Sequence, residues 1–222
     1  MKLEDLKEIY DKLQITYGDP FLDSVYNGGC SKQPDIMFVF MNPTGRNIAS
    51  NKNWTGLKAP WIGTKNIWDL FEATSLIDHE LYKEIKSKKG AEWTYEFAQK
   101  VYDDVTEHKF FINNLGKCTQ IDARPLPDSV YLEYLDLLKK EIEIVDPKVI
   151  ILFGNQVSSI VLNRPISVSK TRKTEFPLCI NGKTYRCFPV FYPVGNGRFN
   201  IDKSIEDIIW IKENIVNERI TA

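Results

Sequence analysis

Three side chains able to give and take hydrogen bonds stand at the ends of hydrophobic runs in this 222-residue chain: Asn42, Asn114 and Tyr192. The first follows Ile36-Met37-Phe38-Val39-Phe40-Met41, an apolar run that reads as a strand buried on both faces. Asn42-Pro43-Thr44-Gly45 stops that strand, because Pro43 lacks an N–H and pushes Asn42 into an extended conformation. Four predicted strand ends carry such punctuation: Asn42-Pro43, Asn113-Asn114, Phe153-Gly154 and Tyr192-Pro193. In a parallel sheet these ends share one edge, the edge where open α/β sheets keep their ligands. Two amides and a phenol would then meet, a set suited to hydrogen bonding and positioning. The plainer alternative is ordinary turn chemistry, with each Asn bonding its own backbone.

Other chemistries are disfavoured. Cys30, Cys118, Cys179 and Cys187 form no C-x-x-C pair, which speaks against zinc or an iron–sulfur cluster. A two-residue turn at Asn181-Gly182 would set Cys179 opposite Thr184 and Cys187 opposite Phe176, so those thiols would not meet. The two histidines, His79 and His108, lie in charged surroundings and read as surface residues. There is no G-x-x-x-x-G-K-[ST] and no G-x-G-x-x-G after a strand.

The net charge of −1 conceals an uneven distribution. Residues 42–68 carry four basic and no acidic side chains, and residues 164–198 carry seven basic and one acidic. These segments follow the first and last punctuated strands, so a cationic face beside the three polar side chains is expected, with solvated basic loops as the alternative.

The elements that must position these residues alternate between strand and helix. Helices are expected at 2–15, at 65–74 with Thr64 as cap, at 92–105, at 128–145, at 155–162 with Asn155 as cap, and at 201–215. Strands are expected near 36, 110, 149 and 190, with a hairpin around Asn181-Gly182. The alternation predicts a three-layer α/β/α sandwich with a central, mainly parallel four-stranded sheet, and one domain over 1–222. No apolar run approaches membrane-spanning length, and the charged amphipathic start does not read as a signal peptide, so a cytoplasmic protein is expected.

Met41–Gly45 (MNPTG) resembles the first catalytic motif of the uracil-DNA glycosylase superfamily, in the N-P-G form of its mismatch-specific and single-strand-selective families. Ala59–Phe71, Phe111–Cys118 and Glu141–Gly154 resemble successive segments of the thermostable family 4. Val190–Arg198 occupies the place of the second catalytic motif. The order and spacing of these matches, over about residues 35–215, carry the resemblance. Two departures stand out. Of the family 4 cluster cysteines only Cys118 has a counterpart, and Tyr134 stands where the next is expected, so the cluster should be absent. The second motif normally begins His-Pro and here begins Tyr192-Pro193.

The resemblance implies a monofunctional DNA glycosylase acting on uracil or another deaminated or modified base, and the scarcity of His and of paired Cys adds the expectation that it works without metal or organic cofactor. Asn42 would hold the attacking water and Asn114 would read the O4 and N3–H edge of the base. Trp61 would stack on the flipped base, or simply pack in the core. Tyr192 would donate to the developing base anion, or be a buried strand tyrosine. Arg46, Lys65, Asn196 and Arg198 would meet the DNA backbone, and Val194 or Phe199 would wedge into the base stack. The implied partner is DNA bearing a damaged or modified base, with no membrane and no obligate protein partner. The alternative is a catalytically weak superfamily member that binds DNA or a nucleotide.

Overall fold

The computed structural model describes residues 1–124 and 126–217. Six strands form one sheet: β1 (Asn27–Gly29), β2 (Ile36–Phe40), β3 (Phe110–Asn114), β4 (Val149–Phe153), β5 (Phe176–Ile180) and β6 (Lys183–Val190). Their order is β1-β3-β2-β4-β6-β5. The four central strands are mutually parallel, and β1 and β5 pair antiparallel at the two edges. The four expected strands are thus the parallel centre of a sheet that has six strands rather than four.

Period-two alternation divides the strand side chains between two cores. Ile36, Phe38, Phe40, Phe110, Ile112, Ile151, Phe153, Phe188 and Val190 face one helical layer. That layer holds α2 (Asn66–Ala73), α3 (His79–Ser87), α4 (Tyr95–Glu107) and α7 (Ile201–Ile211). Met37, Val39, Phe111, Ile150, Leu152 and Cys187 face the other, made of α1 (Lys7–Tyr17), α5 (Asp128–Val145) and α6 (Asn155–Val161). Among the described residues no helix is long and apolar enough to cross a membrane.

The two edge strands show why the extra strands escape a pattern reading. β1 is Asn27-Gly28-Gly29 and has no hydrophobic alternation. Its glycines are required by packing: a Cβ on Gly28 would lie 2.3 Å from the Tyr102 ring, and Gly29 has φ 102°. At the other edge the hairpin register is the expected one, with Cys179 opposite Thr184 and Cys187 opposite Phe176. Asn181 and Gly182 both have positive φ, as a two-residue primed turn requires. β6 begins at Lys183, well before the expected start at Pro189. Pro189 can sit inside this strand because β5 pairs only as far as Cys187.

Three helix starts differ from expectation. Thr64 does not cap α2; its hydroxyl bonds the Trp61 carbonyl oxygen at 2.7 Å and closes the preceding turn. Asn155 is the first residue of α6 and its side chain accepts from the Val168 N–H, so it ties down a later loop instead of capping. α4 starts at Tyr95, because Thr94 caps it by accepting from the Phe97 N–H. α3 is an additional helix, capped by Asp78, in the polar stretch around His79.

Candidate active site

The polar turn after β2 is held in a continuation of the sheet. Leu115 and Gly116 donate their N–H groups to the carbonyls of Phe40 and Met41, each at 2.8 Å. Thr44 then bridges to Gln120 in parallel fashion. Pro43 cannot donate, but its carbonyl accepts from Gln120. Further along, Asn47 is buried and braces the loop, donating to the Ala59 carbonyl and accepting from the Ala49 N–H.

Above this edge lies a cleft of about 280 Å³. Asn42, Trp61, Asn114 and Tyr192 all line it, as do Arg46, Lys65 and Val194. The three strand-end side chains meet there through alternation: positions 42, 114 and 192 continue the parity of Phe40, Ile112 and Val190, which face the α2 side. Behind the lining, the fully buried Phe40 backs two of its aromatics, with Trp61 edge-on at 5.0 Å and Tyr192 edge-on at 6.1 Å.

Asn42 is half-buried and its amide is engaged at both ends. Its Nδ2 donates to the Pro43 carbonyl at 3.1 Å, and its Oδ1 accepts from the Tyr131 hydroxyl at 2.6 Å. Asn114 is 2 % exposed, and its Nδ2 has no hydrogen-bond partner among the described residues. A buried donor left unmade is costly unless a ligand satisfies it.

A buried ionic network holds the Asn114 backbone from behind. Its N–H bonds Asn113 Oδ1 at 2.9 Å, and its carbonyl accepts from Lys117. Lys117 pairs with Glu141 at 2.9 Å, and both are essentially inaccessible. Glu141 also accepts from Asn27 at 2.7 Å and from Asn113 at 2.8 Å. Burial pushes the Lys117 ammonium below its ordinary range, and Glu141 opposes that shift.

Trp61 occupies the left-handed region with φ 67°, uncommon for a bulky side chain and a local strain of about 1–3 kcal/mol. The Thr64 hydroxyl and N–H both bond its carbonyl and sustain that turn. Its indole N–H is buried without a described partner. Tyr192 makes no hydrogen bond to another described residue through its hydroxyl, and burial raises its phenol well above the ordinary range. Its backbone is crowded by design of the loop: a Cβ on Gly197 would lie 2.1 Å from the Tyr192 carbonyl oxygen.

The rim is less cationic than the sequence suggests. Arg172 and Lys173 pair with Glu206 and Asp207, Lys183 with Asp146, and Arg186 with Glu175. Those charges stabilise the far hairpin and α7 rather than face the cleft. Lys65 donates to the Lys86 carbonyl at 2.6 Å, and Arg198 pairs with Asp69 at 3.2 Å. Arg46 is exposed at the rim and forms no ion pair with a described residue. Asn196 and Arg198 lie in the turn Gly195–Asn200, outside the cleft lining. In the same region Val194 is 7 % exposed and Phe199 83 % exposed.

The uracil DNA glycosylase superfamily model matches residues 27–209, which spans the sheet and every residue of the cleft. The chain belongs to that superfamily. Membership carries a DNA-glycosylase-like function in general terms, with DNA as the substrate class. No curated protein matches the chain. The superfamily's cluster-bearing branch raises the question of iron and sulfur, and the residues present do not fit a four-cysteine site. Cys118 is buried after the carboxyl end of β3, with Tyr134 against it. Cys30 lies beside the opposite end of that strand, its N–H bonding the Phe110 carbonyl. Cys179 and Cys187 belong to the distant edge hairpin.

Sequence reasoning missed Tyr131 and the Lys117–Glu141 pair. Tyr131 sits at a buried helical position whose period-3.6 pattern reads only as core. Lys117 and Glu141 are 24 positions apart, and nothing local marks them as partners.

Proposed function

We propose that this superfamily member is a monofunctional DNA glycosylase that hydrolyses the N-glycosidic bond of a flipped uracil or other deaminated or modified base. The observation that carries the reading is the orphaned Nδ2 of Asn114, a buried donor lining the cleft beside Asn42, Trp61 and Tyr192. A base carbonyl oxygen would satisfy it, and Asn114 Oδ1 would accept from the neighbouring ring N–H. Trp61, backed by the buried Phe40, supplies a flat apolar wall for an extruded base.

The C1′–N bond breaks with its electron pair moving onto the base, and a water oxygen bonds C1′. The water's proton ends on the released base. Asn42 Oδ1 accepts one bond from Tyr131 and keeps a second lone pair for that water. Asn42 is a positioning group here, since an amide is no base. Tyr192 donates to the base oxygen on which charge develops, and its raised pKa keeps the proton available. Arg46 and Lys65 meet phosphates, joined by Asn196 and by an Arg198 that shares its charge with Asp69. The exposure of Phe199, against the burial of Val194, favours Phe199 as the wedge.

The competing reading is a DNA-binding superfamily member with little turnover, favoured by a phenol in the place where the superfamily's second motif carries an imidazole. Oligonucleotides bearing uracil, hypoxanthine, xanthine or substituted pyrimidines, single- and double-stranded, separate the two after treatment with hot alkali. Strand scission at the modified position is expected for at least one of them. Tight binding without scission across the whole panel would favour the alternative.

A further inference from the structure

The hydroxyl of Tyr131, which also meets the Leu126 backbone N–H, donates to the side chain that the proposed reaction depends on. Tyr131 is fully buried within α5, and its Oη lies 2.6 Å from Asn42 Oδ1. The other end of the Asn42 amide donates to its own neighbour, the Pro43 carbonyl, at 3.1 Å. These two bonds determine which way the amide faces, because the nitrogen must donate to Pro43 and the oxygen must accept from Tyr131. Without the hydroxyl, one local bond of ordinary length would be all that orients the group. The surroundings leave the pair little room: a Cβ on Gly116 would lie 3.3 Å from the Tyr131 ring and 3.5 Å from Asn42 Cβ.

We propose that Tyr131 is a positioning residue for catalysis, aiming the free lone pair of Asn42 Oδ1 at the water that attacks C1′. This rests on the reading of Asn42 as the water-holding group. Helix α5 is suited to the task because the buried Glu141 anchors it to β1, β3 and Lys117 on the same face of the sheet. Tyr131 is therefore presented from a rigid element and not from a loop. A neighbouring buried phenol provides the comparison: Tyr134, one turn along α5, packs against Cys118, and its hydroxyl has no hydrogen-bond partner among the described residues.

The test is a double-mutant cycle of Tyr131→Phe and Asn42→Ala, with Tyr134→Phe as a control for loss of a buried hydroxyl. Single-turnover rates at saturating protein are measured on whichever oligonucleotide the wild type cleaves, with affinity and melting temperature measured alongside. Tyr131→Phe is expected to slow base release about tenfold to a hundredfold, the range for a misplaced reacting group. DNA affinity should stay within about twofold, and Tyr134→Phe should match wild type. In the Asn42→Ala background, Tyr131→Phe should cause no further loss, because the group it orients is gone. A Tyr131→Phe variant as fast as wild type overturns the inference alone, as does a loss that persists undiminished beside Asn42→Ala. Full rate in Asn42→Ala by itself overturns the underlying role of Asn42, and a wild type that releases no base overturns the glycosylase reading.

Discussion

Tyr192 carries a phenol that burial keeps protonated beyond the range in which an exposed tyrosine ionises. A donor acts only while it holds its proton. The sign is therefore fixed: with a raised pKa, donation persists through neutral pH and past pH 10, and is lost only above the raised value. The rate on an active substrate is expected to show no Tyr192-linked decline between about pH 7 and 10. A decline in that interval that disappears in Tyr192→Phe would contradict this. Tyr192→Phe keeps the ring against Phe40 and removes only the donor, so a fall of about 10²–10³ in single-turnover rate is expected. A Phe variant that matches wild type on every cleaved base would end the electrostatic role. At Asn42, removal to Ala should cost about two to four powers of ten in rate while DNA binding is retained. Equal losses of rate and binding would make it a structural residue.

At the scale of elements, two features of the carboxyl edge hold the site. The turn Gly195–Asn200 can fold back on Tyr192 only because residue 197 has no side chain. Gly197→Ala places a methyl against the Tyr192 carbonyl, so the turn must shift and move Tyr192 with it. A rate loss of at least about tenfold is expected, with a smaller change in melting temperature, since most of the turn is exposed. Behind β3, Lys117 and Glu141 join α5 to the Asn114 backbone. Lys117→Met leaves the Glu141 carboxylate buried beside two amides with its cation gone. A destabilisation of about 3–5 kcal/mol in denaturant unfolding is expected, the usual result of breaking one partner of a buried pair. A loss below about 1 kcal/mol would mean that water or a protonated Glu141 replaces the ammonium.

Over the whole molecule, the net charge of −1 gives no general attraction to nucleic acid. Attraction must come from a small rim at the cleft, because most basic side chains of residues 164–198 are spent on ion pairs elsewhere. Three phosphate contacts, by Arg46, Lys65 and Arg198, would give a log K against log salt slope of about −2 to −3. Arg46→Ala should lower the magnitude of that slope by about 1, and weaken binding equally for modified and unmodified DNA. A slope near −8 would require a far broader cationic surface than the structure presents.

The sequence by itself determined the four parallel strands, the layered architecture, the hairpin register at Asn181-Gly182, and the placing of Asn42, Asn114 and Tyr192 at strand ends. These follow from short-range causes: apolar runs, proline and glycine punctuation, and a side-chain period of two that gives 42, 114 and 192 one facing. Tertiary structure decided what local pattern cannot hold. β1 is a strand because Tyr102 packs on its glycines, though nothing in Asn27-Gly28-Gly29 alternates. Thr64 and Asn155 were drawn from expected capping into bonds with Trp61 and Val168, since a nearby partner outcompetes a cap. The second basic segment lost its common face to carboxylates just past α5, on α7 and in the loop before β5. Tyr131 met Asn42 across 89 positions of chain, a pairing that exists only once α5 is laid against the sheet and its hydroxyl reaches the edge of β2.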